Sequence, residues 1–346
     1  MPPRLRAPSS RMLEPLFVLV LQLSAVCIQA QLLVGFYDSS CPRAESIVQQ
    51  SVMMAIQSNR PLASRLVRLF FHDCFVQGCD ASILLDSTPN NTAEKDSRAS
   101  ATVGGYEVID AAKNTLEAVC PGTVSCADVV ALAARDAIFF SGGPHWDVPT
   151  GRRDGLVSQA SVVASNLPDP SFNVDQSTAS FSAKGLSQSD LVVLSGEQTR
   201  LGGCSQLCSL ICVGAHTIGF AHCGAIMNRF SANGSDPTLD PTFGKMLESS
   251  CPSPSPDATK LLPLDVLSNT IFDNAYFVNL QAGKGLMSSD QALFTDPRTK
   301  PLVNAFAQNA NSFSANFQLA MVRLGQVQVK TGSDGQIRKN CRAINS

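Results

Sequence analysis

Charge is scarce in this chain. Only 16% of its 346 residues are Asp, Glu, Lys or Arg, and 26 basic against 28 acidic side chains leave a net charge of −2. The missing basic excess excludes nucleic acid as a partner, while 44% hydrophobic content excludes intrinsic disorder. Beyond the first thirty residues no apolar run approaches the ~20 residues a bilayer span needs, so no membrane span is expected in the mature protein. Long alternating strand patterns are missing, and so are internal repeats.

Cysteine, by contrast, is plentiful. Twelve cysteines are too many for a cytosolic enzyme without a metal cluster and suit an oxidising compartment. The N-terminal stretch agrees: Arg4, Arg6 and Arg11 precede an apolar run from Leu16 to Cys27, and small Ala30 stands before Gln31. That is the layout of a secretory signal peptide over 1–30, with a soluble mature chain starting near Gln31.

Apolar residues at three- and four-residue spacing predict helices over 43–58, 61–76, 106–119, 125–139, 172–183, 187–195, 215–230, 241–249, 273–281 and 297–311. Ser187 with Asp190, and Asp296 ahead of Pro297, read as helix starts. The expected fold class is all-α, with room for one short hairpin in the irregular middle.

Two of the four histidines keep unusual company. In Arg68-Leu69-Phe70-Phe71-His72-Asp73-Cys74 the guanidinium and the imidazole are four residues apart, on one face of a predicted helix. That pair suits proton transfer with stabilisation of developing negative charge. The following residues, Asp73 to Ser82, pack two carboxylates, a hydroxyl and a Gly turn into ten positions, a hard-oxygen set fit for calcium. Zinc on Cys and His is the competing reading; secretion and the oxygen-rich spacing disfavour it.

Arg68 through Ser82 resembles the distal haem signature of the secretory plant peroxidases, the class III haem peroxidase family. The similarity recurs in order along the chain at Val124-Ser125-Cys126-Ala127-Asp128, Gly142-Gly143-Pro144, Gly151-Arg152-Arg153-Asp154, Ala215-His216-Thr217-Ile218-Gly219, Phe272-Asp273-Asn274 and Ser289-Asp290-Gln291. The resemblance implies a secreted enzyme that uses hydrogen peroxide to oxidise small phenolic donors in one-electron steps, with one haem b and two calcium ions, as a monomer. It implies a distal domain over 31–165, joined by the C-terminal stretch 321–346, and a proximal domain over 166–320, with haem between them. His72 would be the distal acid/base and Arg68 its partner in peroxide cleavage. His216 would be the axial iron ligand, and Asp290 the carboxylate that accepts its ring proton and so increases electron donation to iron. Asp73, Val76, Gly78, Asp80 and Ser82, with Glu94 through water, resemble the distal calcium ligands. Thr217, Asp265, Ser268, Ile271 and Asp273 resemble the proximal set. Pro168 resembles the carbonyl site where phenols dock, and His145 and His222 match no role and read as surface residues. The resemblance also implies four bridges: Cys41–Cys120, Cys74–Cys79, Cys126–Cys341 and Cys223–Cys251. With no extension after Ser346 that would serve as a vacuolar address, the apoplast or cell wall is the expected destination. Asn90-Asn91-Thr92 and Asn233-Gly234-Ser235 are glycosylation sequons.

Two departures stand out. Eighteen residues, Glu197 to Gly214, separate Leu-Ser-Gly from Ala-His-Thr where the family runs straight on, and they carry the unassigned Cys204, Cys208 and Cys212. Their four-residue spacing with His216 spans about 18 Å of helix, too far for one ion. Codons compatible with splice signals at Gly196-Glu197 and Cys212-Val213-Gly214 make a translated intron the favoured explanation of 197–214. If the insertion blocks haem capture, the alternative is a catalytically impaired, calcium-stabilised wall protein; a cysteine-based redox or zinc protein is a third reading. The second departure is Ser97 to Thr102, which lacks the Asn that orients the distal imidazole in the family. Ser100 is the candidate substitute acceptor.

Overall fold

The computed structural model describes residues 32–194, 214–231, 234–252, 257 and 259–346. The sequons divide accordingly: Asn90 sits exposed in a turn, whereas Asn233, like the signal segment and Cys204, Cys208 and Cys212, lies outside the described residues.

Four helices carry the first half: α1 (Ala44–Ser58), α2 (Leu62–Val76), α3 (Tyr106–Val119) and α4 (Cys126–Phe140). Helix α4 starts where the Ser125 hydroxyl accepts from the Asp128 N–H at 3.1 Å, a side-chain cap on an otherwise orphaned donor. It is apolar on nearly every face, from Val129 to Ile138, and α1, α2 and α3 all pack against it, as a helix without a polar side must be surrounded.

Helices α5 (Val163–Asn166), α6 (Val174–Ser182) and α7 (Gln188–Leu194) follow. Ser187 caps α7 as its spacing predicts, the Asp190 N–H donating to its hydroxyl at 3.1 Å. The second half holds α8 (Pro241–Ser250), α9 (Ala275–Gln281), α10 (Ser288–Thr295), α11 (Lys300–Gln308) and α12 (Ala310–Leu324). Strand β1 (Phe220–His222) pairs antiparallel with β4 (Leu261–Pro263), and β2 (Phe230–Ser231) pairs with β3 (Gly234–Ser235).

Four expectations fail here. The stretch 215–230 is not a helix: His216 lies in a short turn, Gly214–Thr217, and the chain then enters β1. Gly219 at φ +115° lets it leave helical space, with Ser64 of α2 so close that a side chain there would press on it. The run 297–311 holds α11 and only the first two residues of α12, the rest of which, like α10, the spacing does not predict; the break falls at Asn309, whose side chain caps α12 by accepting from the Ser312 N–H at 2.9 Å. Asp296 closes α10 rather than opening a helix, and α11 begins only at Lys300. His145 is exposed as expected, but His222 is half-buried on β1.

The C-terminal stretch returns to α4. Arg152 pairs with Asp128 at 2.7 Å, both buried, and reaches Gly325 O; Asp154 accepts from the Arg338 N–H at 2.8 Å. Removing one partner of a buried pair of this kind costs about 3–5 kcal/mol. Disulfides join Cys41–Cys120, Cys74–Cys79, Cys126–Cys341 and Cys223–Cys251.

Candidate active site

Arg68 and His72 project from one face of α2, and they touch. Arg68 Nε donates to His72 Nε2 at 3.2 Å. The guanidinium is held from its other side by the Thr102 hydroxyl at 2.6 Å and the Ala99 carbonyl at 3.3 Å. Ser100, buried on the same loop, stands with its Oγ 3.3 Å from His72 Nδ1. Because guanidinium N–H groups only donate, Nε2 must carry the lone pair, so Nδ1 bears the hydrogen and Ser100 accepts it. The missing Asn is thus replaced by a hydroxyl within reach. Burial, and then the neighbouring Arg68 charge, push the His72 imidazole well below its ordinary value, keeping it neutral.

His216 lies in the turn 214–217, which packs against α2, α7 and α9. Its Nδ1 is 2.8 Å from Asp290 Oδ1 on α10. Burial would raise the Asp290 carboxyl, but the His216 contact, the Met287 N–H and the Tyr276 hydroxyl outweigh it and hold it below the usual value. Among the described residues His216 Nε2 meets no protein partner, and the side chain is 28% exposed. Burial and the adjacent carboxylate push the Tyr276 phenol well above its ordinary value, so it remains a donor.

Asp73, Val76, Gly78, Asp80 and Ser82 follow one another through the end of α2 and the loop behind it. Gly78, at φ +96°, lies under Gln328, where a side chain has no room. Asp73 accepts from the Ala81 N–H at 3.0 Å and Asp80 from the Ser82 N–H at 3.0 Å, while Lys330 Nζ stands 3.3 Å from Asp80. Glu94 is brought beside them, its Oε1 accepting from Gln77 at 3.2 Å. Burial, reinforced by Asp80, pushes Asp73 well up, and burial pushes Glu94 to about 7.

The second set also gathers. The Thr217 hydroxyl donates to Asp273 O at 2.7 Å, and Ser268 Oγ lies 3.0 Å from Asp273 Oδ1 and 3.4 Å from Asp265 Oδ2. Ile271 closes the same loop, its N–H donating to Ser268 O at 3.0 Å. Burial and then Asp273 raise the Asp265 carboxyl. Pro168 is half-buried after α5, and two residues on Pro170 O accepts from the Ser289 N–H at 3.1 Å, tying this strip to the helix that carries Asp290.

A family model described as peroxidase matches residues 48–309, well over half of the chain. The chain is 47% identical over 335 residues to Peroxidase 5 of Vitis vinifera, covering 95% of this chain and 96% of that one. It is 46% identical over 310 residues to Peroxidase 47 of Arabidopsis thaliana, covering 90% and 88%. The chain belongs to the class III plant peroxidase family. It is a peroxidase enzyme of mostly helical fold, in a family that carries haem and is secretory, and the four disulfides among the described residues suit an oxidising compartment.

The residues fit the groups such an enzyme needs. A half-open imidazole with Nδ1 committed to a buried carboxylate would leave the Nε2 lone pair able to hold iron. For calcium, the observation is sharper. Among the described residues Asp73 Oδ1 is buried with no hydrogen-bond partner, and Ser82 Oγ and Glu94 Oε2 are buried beside it with no partner but each other. Buried oxygens are rarely left so, and a hard cation would satisfy them. Among the described residues no three His, Cys, Asp or Glu side chains gather around one point, so calcium would rest on carboxylates mixed with hydroxyl and carbonyl oxygens. A cavity of about 490 Å³ lies elsewhere, lined by Met53, Ile56, Arg60, Phe140 and Thr270 among others; Arg68, His72 and His216 do not line it.

Sequence reasoning missed Tyr276, whose hydroxyl donates to Asp290 Oδ1 at 3.0 Å. The available signal was physical. A tyrosine at a core-facing position of a helix needs a partner for its hydroxyl.

Proposed function

We propose that this enzyme uses hydrogen peroxide to oxidise small phenols in the apoplast or cell wall, as a monomer with one haem b and two calcium ions. The observation that carries this reading is the pairing of His72 with Arg68 on α2 beside a turn in which His216 is bound to Asp290. Bound haem would supply the redox chemistry: one peroxide is reduced to two waters while two donors each lose one electron and one proton.

The chain's own residues do the rest. His72 Nε2 takes a proton from one peroxide oxygen and delivers it to the other as water departs. Arg68 stabilises the negative charge growing on that departing oxygen. Ser100 holds the imidazole in the tautomer this requires. His216 would hold iron through Nε2, with Asp290 drawing on its Nδ1–H. Asp73, Val76, Gly78, Asp80 and Ser82, with Glu94 behind water, would hold one calcium, and Thr217, Asp265, Ser268, Ile271 and Asp273 the other. Residues 31–165 with 321–346 would form the distal domain and 166–320 the proximal one, with Pro168 offering a carbonyl to phenols at the haem edge. Exposed Asn90 is a fit glycan acceptor. The test is a pyridine haemochrome and guaiacol assay on secreted protein and on His216→Ala. Equal haem and equal turnover in the two would overturn the reading.

A further inference from the structure

Asp290 serves two donors with one atom. Its Oδ1 accepts the His216 ring N–H at 2.8 Å and the Tyr276 hydroxyl at 3.0 Å, while Oδ2 accepts from the Met287 N–H at 3.1 Å. Tyr276 is fully buried, and its ring stands 6.1 Å from the imidazole at 84°, so the donors converge on one oxygen from different directions.

We propose that Tyr276 is a positioning residue that limits how much proton character Asp290 draws from His216. The reading rests on His216 as the axial ligand. A carboxylate oxygen divides its charge among its donors, and each donor weakens what remains for the next. With the phenol on Oδ1, the imidazole keeps more of its Nδ1 proton and gives less electron density through Nε2. The hydroxyl also fixes the rotation of the carboxylate. Tyr276 itself is anchored. The Ala275 N–H donates to Asp273 Oδ1 at 2.8 Å, and the Thr217 hydroxyl donates to the Asp273 backbone carbonyl at 2.7 Å, so the start of α9 and the residue after His216 hang on one residue.

Resonance Raman of the ferrous holoenzyme and its Fe(III)/Fe(II) midpoint potential test this. Tyr276→Phe removes the hydroxyl and keeps the ring. The iron–histidine stretch should rise in frequency and the potential should become more negative. 3,5-Difluorotyrosine placed at position 276 alone, a stronger donor of nearly the same shape, should move both readings the other way. A tyrosine that only fills space would leave both unmoved in both variants, and that result overturns the proposal, as do shifts of opposite sign. His216→Gly separates the two levels: loss of the band supports the ligand assignment. A band surviving that substitution overturns the assignment and the proposal with it.

Discussion

Arg68 Nε donates to His72 Nε2, and this single contact assigns the proton on the ring. The nitrogen that faces the guanidinium is the base, and the nitrogen that faces Ser100 is the donor. His72→Ala should therefore slow reaction with peroxide by roughly 10²–10⁴-fold from loss of acid–base transfer alone. Arg68→Leu should slow the same step. Stopped-flow traces with unchanged peroxide dependence in either variant would contradict the assignment.

Acid should spare this base longer than an exposed histidine. Burial and Arg68 hold the folded-state value well below 6.5, so between that value and 6.5 the unfolded chain binds a proton that the native chain does not. Stability contributed by neutral His72 is present above this window and declines as pH falls through it. The acid limb of the peroxide rate should lie below pH 6.5. A limb centred at or above 6.5 would count against the geometry.

Ser100 is a weaker acceptor than an amide carbonyl, and its hydroxyl can also donate. Ser100→Asn should raise the peroxide rate, and Ser100→Ala should lower it by roughly tenfold or more, within the range that second-sphere partners command. Imidazole ¹⁵N shifts should show Nδ1–H in both the native protein and Ser100→Asn. A rate ordered the other way would remove Ser100 from this role.

Glu94 titrates upward, to about 7 from an ordinary 4.5. In chelated protein Glu94 then holds an extra proton in the native state between these values, so its own contribution to stability falls as pH rises from 4.5 to 7. Calcium would displace that proton. Its apparent affinity should drop by roughly tenfold per pH unit below 7 for each proton displaced. Melting of EGTA-treated protein at pH 5 and 7.5 checks this: relative to the parent, Glu94→Gln should gain more stability at pH 7.5 than at pH 5. An equal change at both pH values would refute it.

Deleting Glu197–Gly214 should increase haem content and guaiacol turnover, because it removes Cys204, Cys208 and Cys212 as rivals for Cys223 during oxidative folding. Equal haem and turnover with and without the segment would show a tolerated loop.

The helices of the first half were legible because their signal is local: apolar residues at three- and four-residue spacing, as in α2 and α3. The stretch after His216 was not. Ile218, Ala221 and Ile226 keep a helical spacing, yet Phe220 to His222 pair with Leu261 to Pro263, some forty residues on, and that long-range pairing overrides the local pattern. The break at Asn309 hid for the opposite reason. Apolar periodicity runs through it, and only the cap marks the change. Within the site, spacing brought Arg68 to His72, but nothing local could bring Tyr276 to Asp290, because they sit on different helices.

The loop from Asp73 to Ser82 leans on the far end of the chain. Gly78 lies under Gln328, the Cys79 N–H donates to Val327 O at 3.0 Å, and Arg338 donates to Ala81 O at 2.6 Å. These partners are translated more than 240 residues later. The loop therefore leaves the ribosome with its bracing still unsynthesised, and it can take its finished shape only once the last stretch has been released. A chain stopped short of residue 327 would carry every side chain from Asp73 to Ser82 and still lack the floor on which they are arranged.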